Sequence, residues 1–416
     1  MPGNSSSVRG LELTPESQRI LLWICVLIAA NQLGFGSIIP VIALYAEDFG
    51  VTKTAIGLAI GVYGLARFVA NVPAGQLADR YGRKSTLAVG GVITVAGSAL
   101  CAIAPNYETF LVARFINGAS AAVVLTGGQI VVADIASPHN RGRVMAIYQG
   151  VFLSAVAAGA LPGGWLATQY GLASPFWANA ILAAVVTVLA LFFVPETRPQ
   201  VLESAVRAAS GVALSFRQQI SLLMATPGFL LVCLVSFISF FARTGALFNV
   251  IPIHADVNIG LETNQIGIGI SIATIVGVIL AYPSGMLIDR FGRKGVIALS
   301  TIFTGGAMLL FAISDSFTAF LLSSFIWGVG SGVSGAAPAA YAADLAPKNM
   351  IAPALSMYRT IADFGYVVGP LLLGVVSDLG SSEIALIFTA CLLFCSGSVF
   401  LLRAPETLPR EVAPGR

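Results

Sequence analysis

Apolar residues run in long, nearly unbroken stretches, without the alternation of a half-buried strand or the narrow stripe of a soluble helix. About 20 apolar residues make a helix long enough to cross a bilayer. Stretches of that length lie near 20–45, 54–78, 86–104, 109–136, 142–168 and 174–195. A polar stretch covers 196–226, and six more apolar ones follow near 228–254, 264–288, 296–313, 317–345, 352–378 and 383–403. The pattern predicts an all-α integral membrane protein of twelve transmembrane helices. Its two six-helix halves are residues 1–195 and 228–416, joined by a cytoplasmic linker, 196–227. Within the linker, 205–225 reads equally as a surface helix or as plain connecting chain. Residues 1–19 are polar and the first apolar run is long enough to span and stay, so no cleavable signal peptide is expected.

The halves repeat one another at an offset of 210 positions. Gly75-Gln76-Leu77-Ala78-Asp79-Arg80-Tyr81-Gly82-Arg83-Lys84 returns as Gly285-Met286-Leu287-Ile288-Asp289-Arg290-Phe291-Gly292-Arg293-Lys294. The same offset pairs Asp134 with Asp344, Gly159 with Gly369, Gly164 with Gly374, and Pro195-Glu196-Thr197 with Pro405-Glu406-Thr407. An internal duplication in so apolar a chain is the mark of a secondary transporter whose halves rock about a central site.

Composition narrows the class. Charged residues are 10% of the chain and hydrophobic ones 57%, against about 25% charged in soluble domains. The net charge of +3 gives no reason to expect nucleic acid. Basic residues mark the cytoplasmic side. With both termini inside, the inner segments carry Arg80, Arg83, Lys84, Arg141, Arg143, Arg198, Arg290, Arg293, Lys294 and Lys348, while Lys53 stands in an outer loop. The expected location is the inner (plasma) membrane, multi-pass. Cys25, Cys101, Cys233, Cys391 and Cys395 fall inside apolar runs, without disulfide or metal-ligand spacing. No metal or cofactor is expected.

In each repeated loop, Gly82 and Gly292 suit a tight turn, and Gly75 and Gly285 suit close helix contact. Asp79 and Asp289 sit at helix C-termini, where the helix dipole opposes a carboxylate. They need compensation from the loop arginines or from a neighbouring helix N-terminus, and such a contact can make or break with conformation. The candidate latch is therefore Gly75, Asp79, Arg80, Gly82 and Arg83, with Gly285, Asp289, Arg290, Gly292 and Arg293. The plainer reading is a basic turn that fixes topology.

Gly-x-Leu-x-Asp-Arg-x-Gly-Arg-Lys after the second span resembles the signature loop of the major facilitator superfamily, and Pro-Glu-Thr after the sixth fits as well. The resemblance covers essentially the whole chain. It implies two six-helix bundles around a central cavity, alternating access, a working monomer, and Asp79 and Asp289 as anchors of the outward-facing state, with Arg83 and Asp134 in a charge network that adds Asp134 and its repeat partner Asp344 to the latch. Leu111-x-x-Arg114-x-x-Asn117-Gly118 is similar to the arginine motif of drug–proton antiporters, which implies a proton-relay role for Arg114. Gly150, Gly159, Gly163 and Gly164 resemble the antiporter motif, although Ala160 replaces its proline and Pro162 comes two residues later. Gly369-Pro370-Leu371-Leu372-Leu373-Gly374 is a closer copy in the eleventh span.

Charges inside the spans break the repeat. Arg67 aligns with Gly277, Arg114 with Ser324, Arg243 with Leu33, Arg359 with Gln149 and Asp363 with Leu153. Each costs about 2.5–3.5 kcal/mol at a helix centre unless paired or hydrated, so an unrepeated charge is a functional candidate. Asp363, the deepest acid, has Arg359 one helical turn earlier. The two read either as a proton carrier with its tuning cation or as a neutralised structural pair. Met357 to Asp363 also resembles the eleventh-helix segment of vesicular amine transporters, where an aspartate takes part in proton coupling. Those proteins place a second aspartate where this chain has Asn31. With Arg67, Arg114, Arg243 and Arg359 against the lone Asp363, the interior favours an anionic or zwitterionic solute over an amine.

Candidate substrate contacts are Asn31, Gln32, Arg67, Asn71, Arg243, Phe240 and Trp327; simple burial is the alternative for Arg67, Arg243 and the aromatics. No nucleotide-binding loop is present, so the energy must come from an ion gradient. His139 and His254 lie at opposite membrane faces, which argues against an intramembrane enzyme. The expected function is a proton-coupled exporter of a small organic or drug-like solute. An importer of an organic anion or sugar, or a non-transporting sensor on the same fold, are the alternatives.

Overall fold

The structure is a computed structural model that describes residues 13–136, 140–197, 216–281, 283–284, 287–288, 292–335, 337–347 and 350–407. It is helical, with no strand among the described residues. In chain order the helices are α1 (Pro15–Ile38), α2 (Ile42–Glu47), α3 (Lys53–Tyr81), α4 (Arg83–Ala102), α5 (Tyr107–Ile135), α6 (Arg141–Tyr170) and α7 (Ser174–Phe192). Then come α8 (Phe216–Ala225), α9 (Phe229–Phe241), a π-helical segment (Ala242–Val250), α10 (Ile251–Val257), α11 (Thr263–Ala281) and α12 (Arg293–Ala312). The last four are α13 (Phe317–Ser334), α14 (Ala337–Leu345), α15 (Ile351–Leu379) and α16 (Ser382–Arg403). Among the described residues, 12 spans are long and apolar enough to cross a membrane, in the order the hydrophobic pattern gives.

Among the described residues the first, seventh and tenth spans depart from a single α-helix, each for a local reason. The first stops at Ile38 and resumes as α2, because Pro40 lacks an N–H and disfavours helix at the residue before it. The seventh widens into a π-helix just ahead of Pro252, whose ring would meet the Phe248 carbonyl in an unbroken α-helix. The tenth is interrupted at Gly335, where φ is +44°.

The repeat is legible in the caps. Asn106 accepts a hydrogen bond from Thr109 N–H at the start of α5, and Ser316, its equivalent, does the same for Ala319 N–H at the start of α13. Gly82 and Gly292 turn the chain with φ of +93° and +80°, a region L-residues avoid.

The chain divides into two compact units that do not follow its midpoint. The first comprises residues 1–38, 65–163 and 173–211; the second comprises 39–64, 164–172 and 212–416. A core of Ile24, Leu27, Leu87, Val124, Tyr148 and Val186 lies in the first, and one of Phe229, Cys233, Ile297, Tyr341 and Phe400 in the second.

In the first unit α1 and α6 pack backbone against backbone. A Cβ at Gly159 would stand 2.3 Å from the Leu33 carbonyl oxygen, and one at Gly163 would stand 2.1 Å from that of Ser37. These motif glycines therefore set the separation of two helices. Gly163→Val must push the helices apart, since the obstacle is backbone. Overpacking costs about 1–3 kcal/mol or more. The variant is expected to unfold several degrees earlier in detergent, whereas Gly150→Ala, with nothing within 4 Å, should match the parent.

Candidate functional site

The loop between α3 and α4 is held by charges that the fold brings in from distant positions. Arg83, nearly buried, places Nε 2.9 Å from Asp134 at the end of α5 and Nη1 3.2 Å from Asp79. Nη1 also donates to the Ala78 carbonyl at 3.0 Å. Thr197 Oγ1 donates to Asp134 at 3.1 Å. Glu196 accepts from the backbone N–H groups of Arg83 and Lys84, so its carboxylate caps the N-terminus of α4, where the dipole favours it.

The second copy repeats this chemistry. Arg293 pairs with Asp344 and donates to the Ala340 carbonyl, and Glu406 caps α12 through Arg293 N–H and Lys294 N–H. Gly285, Asp289 and Arg290 lie outside the described residues. Asp79 finds its compensation in Arg83, although its own side chain is 75% exposed. Arg80 stacks over Tyr81 at 5.3 Å. Gly75 differs from expectation: a Cβ there would meet nothing within 4 Å, so its missing side chain serves no close contact in this conformation.

In the second unit the π-segment and α15 assemble the intramembrane charges. Arg243 is the one exposed residue between Phe241 and Ala255, in an otherwise buried run. Thr244 donates to the Tyr366 carbonyl at 3.2 Å, and Asn249 to that of Pro370 at 3.1 Å. These bonds fix the widened segment against α15. Arg359 Nε lies 3.4 Å from Asp363 Oδ2; the arginine side chain is 58% exposed and the aspartate 16%. That distance exceeds the 2.7–2.9 Å of a tight charge-assisted bond, so the pair is loosely closed. The Arg359 guanidinium also sits 5.8 Å from the centroid of half-buried Phe240, within cation–π range. Phe240, Arg359 and Asp363 thus form one cluster, with Arg243 on the π-segment that packs against α15, whereas Trp327, on α13, is buried.

The first unit carries the remaining candidates. Asn31 Nδ2 donates to Gln32 Oε1 at 2.8 Å, and both are buried. Arg114 is 3% exposed, one turn from Asn117, which joins Ser98 and Asn179 in a buried polar chain. Arg67 is half-buried, and exposed Asn71 meets Thr126 at 3.5 Å. An apolar cavity of about 680 Å³ lies between α1 and α6, lined by Val26, Ala30, Leu33, Val151 and Ser154 among others. Leu33 is the repeat equivalent of Arg243, so the two halves present opposite polarity at that position.

A model of the Major Facilitator Superfamily matches residues 24–262 and 232–416. The chain belongs to this superfamily. Among curated major facilitator proteins, an uncharacterized MFS-type transporter of Methanocaldococcus jannaschii is 25% identical over 88% of this chain and 92% of its own length. The quinolone resistance protein NorA of Staphylococcus aureus is 22% identical over 83% and 87%. Among solved structures, a bacterial homologue of the human lysosomal transporter Spinster aligns over 94% of this chain and 97% of its own, with TM-score 0.75 and 15% identity. A D-xylose–proton symporter aligns over 93% and 98%, with TM-score 0.72 and 15% identity. These likenesses give the major facilitator fold.

Two kinds of residue escaped the sequence reading of this major facilitator protein. Glu196 and Glu406 are visible in the repeat, but their role as caps needs the approach of the sixth and twelfth spans to the loop. Asp378, at the end of α15, accepts from Lys53 N–H at 2.9 Å and from Thr54 N–H at 2.8 Å. No local pattern marks it, because its partners are more than 300 positions away.

Proposed function

We propose that this major facilitator protein is a proton-coupled antiporter exporting a small organic solute that bears a negative charge. In this reading residues 1–195 and 228–416 alternate about the membrane midplane, joined by 196–227. The protein works as a monomer in the plasma membrane, with both termini cytoplasmic.

The observation that carries the reading is the Arg359–Asp363 pair on α15, the helix against which the Arg243 segment packs. A loosely closed, partly buried carboxylate in mid-span is placed to exchange its cation for a proton. Protonation frees Arg359, whose guanidinium has the face of Phe240 as a second resting place. Arg243 offers a cation to a carboxylate or phosphate, in the planar geometry that guanidinium groups favour. Protonation of Asp363 thereby shifts the balance between the inward- and outward-open states, and deprotonation, which pulls Arg359 back into the pair, shifts it the other way, so that proton and solute cross on alternate halves of the cycle. The name of the staphylococcal relative, a quinolone resistance protein, supports export of a drug-like solute.

The test is flux in proteoliposomes under an imposed pH gradient, comparing amphipathic organic anions, zwitterions and cationic dyes. Anions moving against the proton flow support the proposal. Anions moving with it give the import reading, and selective transport of cations rejects the role given to Arg243. No flux of any class favours a sensor.

A further inference from the structure

Within the second unit, two seams join segments of the first half to helices of the second, at the end remote from the repeated loops. In one, the end of α15 meets the start of α3. In the other, the end of α6 meets the start of α11. They are related by the 210-residue repeat, contact by contact. Gly374 approaches Lys53 so closely that a Cβ would stand 2.5 Å from the Lys53 carbonyl oxygen; its equivalent Gly164 approaches Thr263 with the corresponding distance 2.7 Å. Asp378 accepts from Thr54 N–H at 2.8 Å, and its equivalent Thr168 accepts from Asn264 N–H at 3.0 Å.

The twins differ in strength. Asp378 is a carboxylate that takes Lys53 N–H, Thr54 N–H and the Thr54 hydroxyl together. Lys53 Nζ adds a bond to Ser382 at 3.4 Å. Thr168 is a neutral hydroxyl with the single cross-half bond to Asn264 N–H among the described residues. Charge-assisted bonds are roughly twice as strong as neutral ones, and the dipole at the α3 N-terminus offsets the opposing one at Asp378's own helix end. Packing points the same way. Gly57, Gly61 and Gly64 lay one face of α3 on α15, where added Cβ atoms would stand 2.0 Å from the Pro370 oxygen, 2.9 Å from the Val367 oxygen and 2.6 Å from the Tyr366 ring. The equivalent positions of α11 are Gly267, Ser271 and Thr274, so two of the three carry side chains where α3 has none.

We infer that the two seams are unequal: α3–α15, held by Asp378, is the hinge of this end, and α6–α11, held by Thr168, is the gate that parts first. Asp378 is a positioning residue, and its role here is independent of the coupling role given to Asp363. Spin labels at Thr52 and Leu379 report the first seam; labels at the equivalent Glu262 and Gln169 report the second. In full-length protein in nanodiscs, with the native cysteines replaced, the Gln169–Glu262 distribution should be broad with a long-distance population. The Thr52–Leu379 distribution should stay narrow. Asp378→Thr should give the first seam the breadth of the second, and Thr168→Asp should narrow the second. Equal widths in the parent, or no change with Asp378→Thr, overturn the inference.

Hydrogen exchange in the protein with its own cysteines gives a second readout. Thr54 should exchange more slowly than Asn264, and Asp378→Thr should speed Thr54 about tenfold while leaving Asn264 unchanged. Equal rates in the parent reject the hinge.

Discussion

Asp363→Asn abolishes proton-driven accumulation of solute while leaving solute exchange intact. Asparagine keeps the size of the side chain but never carries the charge that draws Arg359 back, so the protein stays in the arrangement of the protonated state. The cavity still binds, opens and releases, and labelled solute still swaps for unlabelled. What is lost is the dependence of that cycle on a proton. One pH unit is worth about 1.4 kcal/mol per proton, so with the membrane potential clamped one-for-one antiport builds a solute gradient of about tenfold. The variant should settle near a ratio of one from either direction. Arg359→Gln should weaken coupling less severely, because the carboxylate that carries the proton is still present. An Asp363→Asn protein that builds the full gradient removes this residue from the coupling step.

Arg83→Ala is expected to be the most damaging change in either repeated loop. Arg83 is 7% exposed and Asp134 16%, so removing the guanidinium strands a largely buried carboxylate. Breaking such a pair costs about 3–5 kcal/mol. The contact with Asp79 adds little, since that side chain lies mostly in water. Thermal unfolding in detergent should show a clear drop in midpoint. Part of it should return when Asp134→Asn is added, because the second change removes the stranded charge. The equivalent Arg293→Ala should cost less, as Arg293 and Asp344 are 21% and 32% exposed. Equal losses in the two loops, or no recovery with Asp134→Asn, would show that the network does not hold the loop.

The contrast between these loops shows how far a sequence reading reaches. The family resemblance implied the charge network of Arg83 and Asp134, and the repeat offset paired Asp134 with Asp344 and matched the turns at Gly82 and Gly292. It also isolated Asp363, Arg359 and Arg243 as charges without counterparts. The structure places all three on α15 and the facing π-segment. The expectation that Gly75 packs closely did not hold, because a glycine shows only that a side chain is missing, and the neighbour that would fill the space depends on conformation.

The sequence by itself determined the twelve spans, the duplication and the family. Those follow from the length an apolar run must have in lipid and from one motif written twice, both of which are local. Tertiary structure alone decided that the seventh span opens into a π-helix exposing Arg243, that Glu196 and Glu406 cap helices 113 positions before them, and that Asp378 and Thr168 hold equivalent seams with unequal strength. A carboxylate or hydroxyl acts on whatever N–H groups the fold delivers to it. Nothing in the neighbouring residues records a partner that arrives from the far end of the chain.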